Sequence, residues 1–331
     1  MRKTLKTLFC IIWGMSMTLA QNPQTGKVVR IDPRLDELVS ADAKIEKIAD
    51  GFTFTEGPLW STEGNYLLFT DIPKSLIYKW QNGQVSVFRD STNRANGLTF
   101  DMEGRLIVCE EQTRCISRIE KDGTRTVLAA TYKGKKFNSP NDVIVRSDGT
   151  IYFTDPPYGL PKADEDTAKQ LPYNGIYRIK NGVVTLEEKG MYRPNGIAFS
   201  PDESYIYIGN LDSGREVWAT YDVTQEGSFK KGFIFFDATN YTVKGNPDGL
   251  KVDSKGNVYA TGPDGIWVLS PEGEHLGGIL FPEMPSNCAW GDADGKTLYV
   301  TARTGIYRIR MNVAGILPGP KPAAEVIGNK K

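Results

Sequence analysis

The sequence predicts an all-β fold, a six-bladed β-propeller, and three observations predict it. One order of short strands and tight turns recurs six times, with openings 40, 45, 54, 53 and 39 residues apart, a propeller-blade period. Strand and turn formers are plentiful: aromatic residues make up 11% of the chain, with 15 Tyr and 34 Gly. No window carries the 3.6-residue apolar stripe of a long helix, and no helix-length segments separate the strands as a parallel βαβ fold requires. A length of 331 residues would by itself suggest two domains. Six repeats closing one ring make it one.

Residues 1–20 stand apart from the fold. Arg2, Lys3 and Lys6 precede a short apolar run, and Ala20 is a small residue at a cleavage position, the pattern of a secretory signal. The run is too short to span a bilayer and is interrupted by Ser16 and Thr18. The expectation is a periplasmic or secreted protein with no membrane attachment after cleavage. Cys10 lies in the apolar run without a lipoprotein cleavage pattern before it.

Residues 21–39 form a lead-in, 40–311 the propeller and 312–331 a C-terminal tail. A short helix followed by an extended stretch is expected within 34–49. Each repeat then opens on an acid or amide: Glu56, Asn96, Asn141, Asn195, Asp248 and Asn287. The first turns follow as STEGN (61–65), DMEGR (101–105), SDG (147–149), SPDES (200–204), DSKGN (253–257) and DADG (292–295). Second strands read YLLFTD, LIVCEE, TIYFTD, YIYIGN, NVYATG and TLYVTA. Third strands read SLIYKW, CISRIE, GIYRIK, VWATYDV, GIWVLS and GIYRIR. An open ring would leave an unpaired edge, so one blade must be shared between the two ends of the chain. The segment IEKIADGFTF (45–54) is the candidate partner for GIYRIR (305–310). The tail from Asn312, with Pro318, Pro320 and Pro322, reads as a loosely attached end.

Composition excludes several chemistries. Forty Lys+Arg balance forty Asp+Glu, which argues against a nucleic-acid binder. Loss of the signal removes three bases and tips the balance slightly acidic. His275 is the only imidazole, so multi-histidine metal sites are impossible, and it sits in a turn-like SPEGEH stretch remote from catalytic patterns. Beyond the signal only Cys109, Cys115 and Cys288 remain, too few for a disulfide framework. Cys109 and Cys115 are placed to meet across a hairpin or to stay as buried thiols; Cys288 reads as a core residue. Trp60, Trp218, Trp267 and Trp290 are expected to pack between blades.

The residue that opens each innermost strand recurs around the propeller axis at one height. Two acids and four amides occupy those six positions. Turn propensity explains an Asn or Asp there, but not Glu56 in the same register. A closed ring of such oxygens is costly to desolvate without a cation or ordered water. Oxygen donors without thiolate or imidazole suit a hard divalent cation, Ca2+ first, with Mg2+, Mn2+ or Zn2+ as substitutes.

The stretches TEGPLW (55–60), RANGLTFD (94–101), NSPNDVIVRSDGTIYFTDPPYGL (138–160), RPNGIAFSPDE (193–203) and GNPDGLKVDSKGNVY (245–259) resemble the SMP-30/gluconolactonase/luciferin-regenerating-enzyme family over about residues 50–310. The FTDPPYG stretch looks more like the bacterial gluconolactonases than the animal members. The resemblance implies metal ligation by Glu56, Asn195 and Asp248, with Asn141 contributing to the metal or the substrate. It also implies that Asp248 is the acid/base. Ser139 stands where the animal members carry an Arg, so their sugar contacts through that Arg do not transfer.

The function so implied is hydrolysis of a small-molecule sugar lactone. The cation polarises the carbonyl, and Asp248 moves the proton of the attacking water. Asn141 and Asn96 are expected to orient substrate hydroxyls, Tyr158 to wall the mouth, and Arg193 to meet the substrate. The alternatives are an aryl-ester or phosphotriester hydrolase on the same metal, or a non-catalytic propeller stabilised by calcium.

Overall fold

The structure is a computed structural model that describes residues 26–211, 214–241 and 245–320. The signal-like segment 1–20 and the last eleven residues lie outside the described residues. Six antiparallel sheets of at least four strands surround one axis. Their inner strands are Thr55–Ser61, Ala95–Phe100, Val143–Val145, Pro194–Phe199, Leu250–Val252 and Asn287–Gly291, for blades 1 to 6. Each touches the next, and the inner strand of blade 6 returns to that of blade 1. The ring is closed.

Burial follows position in the blade. The inner strand Thr55–Ser61 is buried along its whole length, whereas the outer strand Gln84–Arg89 of the same blade is almost wholly exposed. The inner strand is covered by its neighbours on both faces even where it carries Thr55, Glu56 and Ser61, and the outer strand faces solvent. Large aromatics fill the space between blades. Trp60 stacks on Tyr299 of blade 6 at 5.4 Å, and Trp290 meets Tyr259 of blade 5 edge-on at 4.8 Å. Trp218 and Trp267 face each other at 5.7 Å.

Closure uses the segment expected for it. Ile45–Asp50 pairs antiparallel with Gly305–Arg310, Lys47 opposite Tyr307, so blade 6 takes its outer strand from the start of the propeller. The expected helix is one turn, Leu35–Leu38, whose two leucines are buried. Residues expected as a lead-in contribute more than that: Lys27–Arg30 adds a fifth strand to blade 5 beside His275–Leu280.

The tail corrects the expectation of a loose end, at least as far as residue 320. Asp253 and Gly315 form an isolated bridge, Ser254 N–H donates to Ala314 O at 2.8 Å, and Ile316 N–H donates to Val252 O at 3.2 Å. Gly315 lies flat on Trp290, where any side chain would strike the indole. Backbone pairing and one glycine contact hold this stretch, and a reading of its prolines alone misses both. Cys109, Cys115 and Cys288 are free and buried. Cys109 faces Ile116 and Cys115 faces Glu110 across the hairpin, so the two side chains point to opposite faces of the sheet and the thiols are unbridged.

Candidate active site

We call the end of the channel where the inner strands begin the upper end. Glu56, Asn96, Asn195 and Asn287 open or nearly open their strands there, while Asn141 and Asp248 stand two residues before theirs. Five of the six are buried, and Asp248 keeps an edge in contact with solvent.

A glycine follows the opening residue in four blades, and the structure shows why. A Cβ on Gly57 would lie 2.2 Å from Asn96 O, one on Gly97 2.6 Å from Asn141 O, and one on Gly196 2.2 Å from Asp248 O. A Cβ on Gly249 would likewise lie 2.0 Å from Asn287 Cγ. The blades approach so closely here that only hydrogen fits. Gly97 N–H and Gly196 N–H then donate to those same neighbouring carbonyls, at 2.8 and 3.0 Å. Register shifts between Glu56 and Leu59, Ala95 and Leu98, and Pro194 and Ile197 bulge three strands at this level, a device that re-aims side chains. The Thr near the end of the second strand has its own duty. Thr70 and Thr154 hydroxyls donate to Asn96 O and Asn195 O of the following blades, at 3.2 and 2.7 Å.

The two blades without that glycine carry Asp142 and Cys288. Asp142 is the acid at this level that the sequence reading did not single out. It is buried, its Oδ1 accepts from Val143 N–H at 2.9 Å, and its Oδ2 makes no hydrogen bond. Lys251 Nζ stands 3.8 Å from that oxygen and donates to Leu250 O at 2.9 Å and Asn287 Oδ1 at 3.3 Å. The signal was present as Asp in a column of glycines.

Glu56, Asp142 and Asp248 act on one another. Burial first, then the Asp142 charge, pushes the Glu56 carboxyl up to about 7, against Gly57 N–H and Asn287 Nδ2 donating to its Oε2 at 2.5 and 3.0 Å. Burial, then Glu56 and Asp142, drives Asp248 well above the usual carboxylate range, while a hydrogen bond from the Asn195 side chain opposes the shift. Among the described residues no group of three or more His, Cys, Asp or Glu is arranged to hold a metal. The donors at hand are instead two carboxylates, Glu56 and Asp248, with the amide oxygens of Asn141 and Asn195. An all-oxygen set of this kind, crowded with negative charge and set beside an Asp142 oxygen that makes no hydrogen bond and faces Lys251 Nζ at 3.8 Å, fits a hard divalent cation.

The expected mouth residues also converge. Tyr158 has a buried hydroxyl beside the Asn195 side chain, and burial followed by the Asp248 charge raises its pKa. Arg193 Cζ lies 5.9 Å from the Tyr158 ring centroid, and its Nη2 contacts Asp164 Oδ2 at 3.1 Å. Asn96 Nδ2 donates to Glu111 Oε1 at 3.1 Å. His275 stacks on Trp267 at 4.2 Å in the outer part of blade 5 and takes no part in this site.

Fold and site together define a six-bladed propeller with an acid-and-amide ring at one end of its channel. Residues 54–304 match the SMP-30/gluconolactonase/LRE-like region, and the chain belongs to that family. A gluconolactonase of Zymomonas mobilis is 36% identical over 318 residues, covering 88% of this chain and 87% of that protein. A pentonolactonase of Haloferax volcanii is 26% identical over 257 residues, covering 76% and 81% respectively. Among solved structures, a gluconolactonase from Xanthomonas campestris superposes with a TM-score of 0.80 at 30% identity, covering 88% of this chain and 96% of that one.

Proposed function

We propose that this protein hydrolyses a sugar lactone, an aldonolactone first of all, using a hard divalent cation held by Glu56, Asn141, Asn195 and Asp248. The observation that carries the reading is the meeting of Glu56 and Asp248 in a ring otherwise made of amides. Similarity to the Zymomonas gluconolactonase supports the substrate class. Ca2+ is the first choice of cation because every donor is oxygen.

A bound divalent cation supplies Lewis-acid stabilisation of the charge that develops on the lactone carbonyl oxygen. The chain's own residues move the proton. Asp248 takes a proton from water as the water oxygen bonds to the carbonyl carbon; the ring C–O bond then breaks and the proton passes to the leaving alkoxide, giving the open hydroxy acid. Asn141 and Asn96 orient the ring hydroxyls, with Tyr158 and Arg193 along the wall. The signal-like segment 1–20 supports a periplasmic or secreted location.

The test is a panel of sugar lactones followed by acid release, before and after chelation and with Ca2+ restored. Hydrolysis of at least one aldonolactone, lost with chelator and regained with cation, is the expected result. A uniformly flat panel overturns the reading.

A further inference from the structure

The mouth of the channel carries a second arginine that the ring chemistry leaves unused. Arg94 lies two residues before ring residue Asn96, and its Nε and Nη2 donate to Glu111 Oε2 at 3.3 and 3.2 Å. The other oxygen of the same carboxylate accepts from Asn96 Nδ2 at 3.1 Å. Glu111 is thus strung between a ring amide and a rim cation. It is 4% exposed, while the Arg94 side chain is 40% exposed.

The backbone adds to this. Ser91, Asn93 and Arg94 have φ of 51°, 55° and 56°, a left-handed conformation that residues with a Cβ rarely adopt. The turn is fastened by Arg94 N–H to Ser75 Oγ at 3.1 Å, Glu111 N–H to Arg94 O at 3.2 Å and Gln112 N–H to Asn93 O at 3.0 Å. Strain that the surroundings maintain beside an active site is a place to look for function. Gly159, next to Tyr158, sits against Ser139 and Glu111, where a Cβ would lie 2.4 Å from Ser139 Oγ and 2.8 Å from Glu111 Cβ. Glu111 is therefore part of the wall that the Tyr158 loop leans on.

We propose that Arg94, positioned by Glu111, contacts the substrate and selects a neutral, polyhydroxylated lactone over one bearing a phosphate. The inference rests on the lactonase reading and narrows it. An arginine already neutralised by its own buried carboxylate offers little net charge to an anion. Its remaining N–H donors beside carboxylate acceptors do match hydroxyl groups, which both donate and accept. Arg193 against Asp164 repeats the arrangement on the far side of Tyr158. An anionic group would meet arginines already neutralised by Glu111 and Asp164, so the mouth offers it no unspent positive charge.

The experiment measures kcat and KM for glucono-1,5-lactone and its 6-phosphate with the cation-loaded protein and the variants Arg94→Met and Glu111→Gln. The wild type is expected to favour the neutral lactone in kcat/KM by about ten-fold or more. Arg94→Met should raise KM for the neutral lactone about ten-fold while kcat stays within about three-fold, the pattern of lost binding. Glu111→Gln, which frees the Arg94 charge, should shift the ratio of kcat/KM about ten-fold towards the phosphate ester. A purely structural Glu111 would instead depress both substrates equally, and that result overturns the positioning role. An unchanged KM in Arg94→Met, or a wild type that prefers the phosphate ester, overturns the whole inference. A wild type inert on both lactones refutes the lactonase reading itself, and this inference with it. Should Glu111→Gln not fold, Arg94→Met and Arg94→Gln, at a half-exposed side chain, decide the matter alone.

Discussion

The two ends of the channel are built from the same six strands and present opposite chemistry. At the upper end stand Glu56, Asn141, Asn195 and Asp248. Four residues further along blade 1, about 13 Å away at the rise of an extended strand, stands Trp60. There Trp60, Val145, Phe199, Val252 and Trp290, with Asp202, Glu203 and Lys251 among them, line a mainly apolar cavity of about 620 Å3, and Ile316, Leu317, Pro318 and Gly319 of the tail form part of its wall. The upper end leaves carboxylates facing one another; the lower end is covered by the chain itself. The contrast separates what a propeller needs for function from what it needs to stay closed. Bulges and glycines bring the blades together where polar side chains must meet, and aromatic side chains with a docked tail line the other end.

The largest effect expected at the upper end is on catalysis. Asp248→Asn should lower hydrolysis by about 10²–10⁴-fold, with cation binding by calorimetry largely retained. Activity within a few-fold of wild type would remove Asp248 from the proton transfer.

Closure at the same level is tested by Gly57→Ala. With φ at +50° and Asn96 O at 2.2 Å from the new methyl group, it should cost about 3 kcal/mol of stability in urea unfolding. A cost near zero would show that the blades can part freely.

The acid cluster also sets the pH dependence. A carboxyl raised from its unfolded value to about 7 in the fold holds its proton longer when folded, as Glu56 does. That contribution is fully present at low pH and is lost as pH rises towards 7. Cation-free protein should therefore lose melting temperature over that window, and added Ca2+ should raise it more at pH 8 than at pH 5. Equal calcium shifts at both pH values would contradict ligation by Glu56.

The lower end should respond least in catalysis. Ile316→Ala removes a partly buried side chain that packs beside Val252, at a cost of about 1–2 kcal/mol, with kcat/KM changed less than about two-fold. A large loss of activity from this change would mean that the two ends are coupled.

Much of the upper end was legible because repetition makes it so. Six openings in one register indicated all six ring residues, the family resemblance singled out Glu56, Asn141, Asn195 and Asp248 among them, and the closing segment at 45–54 followed from the need to avoid an open edge. Tyr158 and Arg193 were singled out on motif context, and Arg193 Cζ lies 5.9 Å from the Tyr158 ring centroid. Asp142 escaped because its neighbour Asn141 took the repeated position; only the glycine column, once its steric reason is known, marks it as an exception. Arg94 and Glu111 lie seventeen residues apart on different loops, and nothing in their spacing announces an ion pair.

The sequence alone determined the architecture and the chemical character of the site. A strand order repeated six times can bury its apolar faces only by stacking around an axis, and a single histidine leaves oxygen donors as the means of holding a metal. Tertiary structure decided what depends on distances between blades. It set which acids feel one another's charge, where Lys251 meets Asp142, that the two hairpin thiols stay unbridged, and that the tail docks on the lower face. Those outcomes turn on a few ångströms between residues far apart in the chain, and local propensity carries no information at that range.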